Sequence, residues 1–135
     1  MPRRTSRARA PQRAKRTHHD TTPRSFRCVG CRLDIAATAP GTAHRNHCPI
    51  CLASRHVDEL VPGDRRSLCG ARMDAIAVIA HDDGEWALLH QCARCQRLGT
   101  NRIAGDDNPL QLVRLALAPI AQPISPDFQR NWVAV

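Results

Sequence analysis

Three Cys-x-x-Cys pairs, an apolar hairpin pattern and a short amphipathic helix predict a small zinc-stabilised α+β domain with a disordered tail at each end. The expected architecture is a set of zinc-ribbon-like knuckles with one β-hairpin and one C-terminal helix. Among the 135 residues, only two Phe and two Trp are aromatic, and there is no Tyr. Such a chain buries a modest core, so a bound metal would supply much of its stability.

The cysteine spacing is the strongest signal in the sequence. The first two pairs are separated by 16 residues, within the usual spacing of a four-cysteine zinc site. Four thiolates around Zn²⁺ form a closed, structural tetrahedron. The ligands predicted for this first site are Cys28, Cys31, Cys48 and Cys51. The pairing is a preference, because loop-closure entropy changes slowly with loop length.

The remaining three cysteines, Cys69, Cys92 and Cys95, predict a second zinc that a histidine would complete. His47 adjoins Cys48, and neighbouring side chains of an extended segment point to opposite sides. His47 is therefore expected to orient ligands or to reach the second metal. His90 would share the face of Cys92 if the strand continued, and His56 follows the second pair by five residues. Spacing alone leaves the three histidines open.

The number of cysteines and the composition of the N-terminus indicate the cellular compartment that we expect for this chain. The seven cysteines cannot all pair within one chain, and no apolar secretory stretch is visible at the N-terminus. A reducing, cytoplasmic location is expected, where such pairs bind metal. No run of about 18 apolar residues predicts a membrane span. A redox role for the CPIC pair is disfavoured, because it does not explain two further pairs.

The positive charge is concentrated at the N-terminus. Residues 1–27 hold nine Arg or Lys and one acid, whereas residues 28–135 hold eleven of each sign. We expect residues 1–25 to form a disordered arm, which either neutralises phosphates or is simply solvated. The candidate nucleic-acid-binding residues are Arg3, Arg4, Arg7, Arg9, Arg13, Lys15 and Arg16.

A hairpin and a helix are predicted between the second pair and the C-terminus. Residues 75–80 (AIAVIA) and 85–90 favour strands, and DDG at 82–84 favours the turn. DDNP at 106–109 predicts a helix start, and Pro119 ends the helix. Its predicted apolar positions are Leu110, Val113, Leu117, Leu112 and Ala116. The domain is expected over residues 26–118, followed by an extended Pro-containing tail at 119–135.

Residues 44–52 (HRNHCPICL) resemble the signature of the bacterial RNHCP-domain family. Supporting stretches are FRCVGC (26–31), SRHVD (54–58), PGDR (62–65), Cys69-Gly70 with Met73, the pair at 92–95, and NRIAGDDN (101–108). The resemblance covers about residues 25–115 and implies a small bacterial zinc-binding domain, with little implied about activity. It makes His56 the leading eighth ligand. Asn101, Arg102, Asp106 and Asp107 are expected to cap the helix or to offer a polar surface to RNA or protein.

The expected function is that of a non-catalytic zinc module that associates with RNA, in particular with the ribosome, through its basic arm. So few aromatic residues disfavour recognition of single strands by stacking. The main alternative is a zinc-held regulator that binds a protein partner or DNA. A metalloenzyme would need an open metal position, with Asp58 or Asp64 near His56 as its acid or base. No membrane partner and no small-molecule substrate are expected.

Overall fold

The computed structural model describes residues 24–118 and the strand at Trp132–Ala134. The elements in chain order are β1 (Ser25–Arg27), β2 (Asp34–Ala36), β3 (Ser54–Arg55), β4 (Arg72–His81), β5 (Trp86–Cys92), β6 (Leu98–Arg102), α1 (Pro109–Leu117) and β7 (Trp132–Ala134). The candidate nucleic-acid-binding residues of the arm lie outside this description, as does most of the tail at 119–135. The division into arm, domain and tail therefore stays a prediction.

The strands form two antiparallel sheets. β1 and β2 make a small hairpin of their own. The larger sheet has the order β3-β4-β5-β6, and β7 pairs with the end of β4 at residues 79–81. With one helix near the C-terminal end of the described domain, the predicted α+β class is confirmed.

The predicted central hairpin is present and longer than expected. β4 and β5 pair from Met73 opposite Cys92 to Ala80 opposite Trp86, with one bulge between residues 75 and 77. Gly84 closes the turn with φ of 85°, a left-handed conformation that glycine adopts without strain. The hairpin extends beyond the apolar run at residues 72–74 of β4, where β3 pairs with Arg72 and Met73 and the end of β5 pairs with Met73 and Asp74.

The two faces of this hairpin bury different clusters. Val78 and Leu88 face the same side, where they pack with Leu52 and with the α1 residues Leu112, Leu115 and Ala116. The alternate positions form a second buried cluster on the other face, with members Ala77, Ile79, Ala87 and Leu89. This alternation is the period of two that a pleated strand imposes.

The helix begins where the sequence predicts, and it packs through two of its five predicted apolar positions. Asn108 is the N-cap, and its side-chain oxygen accepts hydrogen bonds from the backbone N–H groups of Leu110 and Gln111. Three of the predicted apolar positions, Leu110, Val113 and Leu117, are exposed. The other two, Leu112 and Ala116, face the sheet together with Leu115. Both sets fit a helical period, and the position of the sheet selects the second.

Strand β6 was not predicted from the sequence. Its residues LGTNR include Gly99 and Asn101, which are depleted in strands, and alternate no apolar positions. It forms because the backbone N–H and C=O groups of β5 at residues 87–91 pair with those of residues 98–102. Within the described residues, no helix is long and apolar enough to cross a membrane.

Candidate functional site

Each Cys-x-x-Cys pair forms the turn of a tight β-hairpin with the same hydrogen-bond pattern. The first cysteine of each pair accepts a backbone bond from the residue four positions later, at 2.9–3.2 Å. Its own N–H donates to the carbonyl of the residue five positions later, at 2.8–2.9 Å. The residue after each pair, Arg32, Leu52 or Gln96, has φ between 60° and 67°. These are three copies of one knuckle.

The knuckle geometry directs backbone N–H groups at sulfur. In the first knuckle, Gly30 and Cys31 donate to Cys28 Sγ at 3.3 and 3.4 Å. In the second, Ile50 donates to Cys48 Sγ at 3.4 Å. Such bonds stabilise a thiolate, which is the form that binds metal.

The first two knuckles bring Cys28, Cys31, Cys48 and Cys51 together, with all four Sγ atoms within 4.8 Å of one another. Cys28 Sγ lies 3.5 Å from Cys51 Sγ, and Cys31 Sγ lies 3.6 Å from Cys48 Sγ. Tetrahedral zinc with Zn–S bonds of about 2.3 Å separates its sulfurs by roughly 3.8 Å. A disulfide needs about 2.05 Å. The donor set therefore fits a Zn²⁺ ion.

The electrostatics of this cluster call for a cation. Burial raises the pKa of the Cys28 thiol, but the N–H groups of Cys31 and Gly30 outweigh burial and lower it to about 7. Burial and the neighbouring sulfurs raise the pKa of Cys48 to about 12. One sulfur can ionise alone, and its charge then opposes ionisation of the others. A divalent metal removes that repulsion.

The second cluster consists of His56, Cys69, Cys92 and Cys95, whose ligand atoms also lie within 4.8 Å of one another. Cys69 Sγ is 3.7 Å from Cys92 Sγ, and His56 Nδ1 is 3.3 Å from Cys95 Sγ. Burial raises the pKa of Cys92, but the N–H groups of Cys95 and Arg94 outweigh it and lower the pKa to about 6. Three sulfurs and one imidazole nitrogen form a zinc donor set.

Backbone pairing positions His56 for this cluster. Its N–H donates to Ala71 O at 2.8 Å, and its carbonyl accepts from Gly70 N at 2.9 Å. These bonds hold the residue beside the Cys69 segment, and the β5 end supplies Cys92. Two Cys/His tetrads therefore fit two zinc ions, as the sequence predicts. Every ligand position in both tetrads is supplied by the protein, the arrangement of closed structural sites.

His47, one of the rival ligands, belongs to neither cluster. Its Nε2 donates to the Asp107 carboxylate, at 2.9 Å from Oδ1 and 2.8 Å from Oδ2. Asp107 Oδ2 also accepts from Ala104 N at 2.8 Å. The sequence expected Asp107 to cap the helix or to contact a partner, and this is wrong. The carboxylate can be buried because it accepts hydrogen bonds from the His47 imidazole and from the N–H of Ala104 in the turn before α1.

His90, the other rival, lies in a buried network and not at a metal. Its Nε2 donates to Leu52 O at 2.8 Å, and Asn101 Nδ2 lies 3.2 Å from its Nδ1. Burial lowers the pKa of His90 to about 4, so the ring is neutral at pH 7. Leu52 is the left-handed residue of the second knuckle, so His90 ties that knuckle to β5.

The stretches that carry the family resemblance contact one another. Arg45 forms an ion pair with Asp106, and Arg65 donates to Asn46 Oδ1. Together with the His47–Asp107 bond, these contacts fasten the RNHC residues to both the NRIAGDDN and the PGDR stretches. Asp106 is thus engaged by Arg45, which corrects its assignment to helix capping. No local signal in the sequence points to these pairs, because their members lie 19 to 61 positions apart.

The acids suggested for a metalloenzyme hold a loop instead. The Asp64 carboxylate accepts N–H bonds from residues 59, 60, 61 and 66. The N–H groups of Glu59 and Leu60 hold the pKa of Asp64 well below its usual range. Asp58 accepts from Gly63 and Arg65 in the same loop.

A cleft of about 580 Å³ lies between the first knuckle and β3. Its wall includes Arg27, Arg45, Arg55, Arg65 and His44, and none of its lining residues is acidic. Sequence reasoning missed this cleft, because residues 28–135 have no net charge and the arginines are far apart in the chain. Ser25 and Phe26, which follow the basic N-terminal residues in the sequence, also line it.

Two metal tetrads built on three identical knuckles define a small zinc-binding module. The family model of the RNHCP domain matches residues 23–113, and the chain belongs to that family. Comparisons with curated proteins and with solved structures found no match.

Proposed function

We propose that this protein is a non-catalytic zinc module that binds RNA on the ribosome, in the cytoplasm of a bacterium. The two zinc ions have a structural role, held by Cys28, Cys31, Cys48 and Cys51 in one site and by Cys69, Cys92, Cys95 and His56 in the other. The RNA is bound by the basic arm and by the surface that adjoins it.

The observation that carries the proposal is the place of the cleft in the chain. Ser25, the last residue of the arm, and Phe26, the first residue after it, line the cleft together with four arginines. Residues 1–27 carry a net charge of +8, although the rest of the chain is neutral. Basic residues that adjoin such a cleft in sequence can contact successive phosphates of one nucleic-acid backbone.

Salt dependence of binding tests the proposal. Co-sedimentation with ribosomes, and binding to single-stranded RNA and duplex DNA, is measured between 50 and 200 mM salt. The full chain is compared with a variant that lacks residues 1–22, which leaves β1 intact. We expect the full chain to lose roughly ten- to a thousandfold affinity for RNA over this range, and the shortened chain to lose far less.

A matched variant separates the effect of charge from that of length. Replacing Arg3, Arg4, Arg7, Arg9, Arg13, Lys15 and Arg16 by Gln keeps the arm but removes seven charges. It should behave like the shortened chain. Absence of RNA and ribosome binding by the full chain at 50 mM salt would end the proposal, and a strong preference for duplex DNA would redirect it to a DNA-binding regulator.

A second candidate, a zinc-held protein-interaction module, is favoured by the exposed face of α1. Leu110, Val113 and Leu117 lie on one side of the helix and are 54–80% exposed. A protein partner on this face would give binding to ribosomes that persists at high salt without the arm. Replacing Leu110 and Leu117 by Asp would abolish such binding, whereas RNA binding through the arm would be unaffected.

A further inference from the structure

The basic cleft combines an apolar floor with a cationic wall. Phe26 packs on its inner side against the buried cluster around the first metal site and also lines the cleft. The other apolar lining residues are Val29, Ala37, Ala53 and Val57. Ligand pockets in proteins have volumes of about 300–1,000 Å³, and this cleft of about 580 Å³ falls within that range.

Three of the four arginines that line the cleft pair with a carboxylate. Arg27 pairs with Asp34 at 3.5 Å across exposed surface, Arg65 lies 3.9 Å from Asp58, and Arg45 pairs with Asp106. Arg55 is exposed, and in the described part of the chain no carboxylate pairs with it. Its cross-strand neighbour Arg72 pairs with Asp74 at 2.6 Å, so Arg55 is the lining arginine left to bind an anion.

Arg45 also lines the cleft, but its side chain is only 2% exposed, and its guanidinium pairs with Asp106 through Nη2. Its Nε is buried and has no hydrogen-bond partner among the residues that the structure describes. A ligand in the cleft does not reach so buried an atom. Arg45 therefore shapes the cleft, and Arg55 is the cation that an anion there would meet.

We propose that the cleft holds one unpaired nucleotide of an RNA strand, with the base on the apolar floor at Phe26 and a phosphate at the arginine wall. The inference rests on the proposed RNA-binding function and deepens it. A planar base needs one apolar or aromatic surface and a nearby cation for its phosphate, and both are present here. The few aromatic residues exclude a long stacking platform but suffice for one base.

The direct test uses the full, zinc-loaded chain and adenosine 5′-monophosphate as probe. Backbone amide shifts of Phe26 and Ala53 are followed by NMR during titration. We expect the mononucleotide to bind at least tenfold more tightly than adenosine or ribose 5-phosphate, each of which lacks one half of the ligand. A single-stranded RNA oligomer should move the same amides at lower concentration than the mononucleotide does.

Matched arginine variants assign the effect to the cleft. Arg55→Ala removes a cleft charge, and Arg114→Ala removes an exposed charge on α1 outside the cleft. Arg55→Ala should weaken binding of the mononucleotide and of RNA about tenfold, and Arg114→Ala less than twofold. Two zinc ions per chain and unchanged β4 amide shifts verify that both variants are folded.

The outcomes separate this inference from the broader function. The nucleotide site would be overturned if RNA binds without changing the amide shifts of Phe26 and Ala53, and if Arg55→Ala and Arg114→Ala weaken binding equally. RNA binding by the arm would then remain intact. Tighter binding of the mononucleotide than of the oligomer would make a free nucleotide the occupant and overturn the RNA assignment. Failure to bind any RNA, with or without mononucleotide binding, would overturn both proposals.

Discussion

His47 Nε2 lies 2.8 Å from Asp107 Oδ2, and both side chains are at most 2% exposed. The bond joins the residue before the second knuckle to the turn that starts α1, 60 positions later. His47, although adjacent to Cys48, therefore holds the second knuckle against the start of α1. The same region is fastened a second time, because Asn108 N donates to Pro49 O at 2.8 Å.

Removing this carboxylate should destabilise the fold without removing zinc. Asp107→Ala leaves the imidazole of His47 and the N–H of Ala104 without an acceptor, at a cost of about 2–4 kcal/mol in unfolding free energy. Urea unfolding of the zinc-loaded protein measures this. The control Asp34→Ala breaks an exposed pair with Arg27 and should cost less than about 1 kcal/mol. Equal effects of the two variants would contradict the role of the buried bond.

Zinc content distinguishes the three histidines. His56→Ala should lower the bound zinc from two ions to one per chain after dialysis against a chelator, because only His56 has a nitrogen within the second cluster. His56→Cys should keep two, since a fourth thiolate completes the tetrahedron. His47→Ala should also keep two. Loss of zinc from the His47 variant, with retention in His56→Ala, would reverse the assignment.

Gly30 should tolerate no side chain. A Cβ there would lie 2.9 Å from Ala53 Cβ and 3.0 Å from Cys51 Sγ, inside the first cluster. We expect Gly30→Ala to weaken zinc retention at this site and to cost about 1–3 kcal/mol in stability through overpacking. The matched control is Gly99→Ala, where the added Cβ meets only the flexible end of Met73 at 3.4 Å. If Gly30→Ala changes neither zinc retention nor unfolding free energy, the two knuckles can move apart to accept the added methyl group.

Acid should release zinc. With a pKa raised to about 12, Cys48 is a thiol at pH 7 in the metal-free chain, so zinc must displace its proton. Cys92, with a pKa lowered to about 6, is mostly a thiolate at pH 7 and becomes protonated below pH 6. Protons therefore compete with metal increasingly as the pH falls. The apparent zinc affinity should drop about tenfold or more for each pH unit below 7. A chelator dye at fixed pH values measures it, and constant affinity from pH 7 to 5 would refute the competition.

Local spacing accounts for the parts that could be predicted. The cysteine pairs, the central hairpin and the start of α1 depend on residues within a few positions of one another, and each is present. The packed face of the helix was predicted only in part, because Leu110 and Leu112 belong to two stripes that fit a helical period equally well. Only the location of Val78 and Leu88 in space decides which stripe is buried.

The sequence by itself determined that the chain carries two sets of zinc-binding side chains and a neutral body with a basic arm, because ligand type, short spacing and charge are local properties. The tertiary structure decided which histidine joins the second set, which partners His47 and Arg45 find, and where Arg27, Arg45, Arg55 and Arg65 converge on one cleft. These groupings join residues that lie from 10 to 61 positions apart in the chain. They are set by how the knuckles pack on the sheet, which no local pattern encodes.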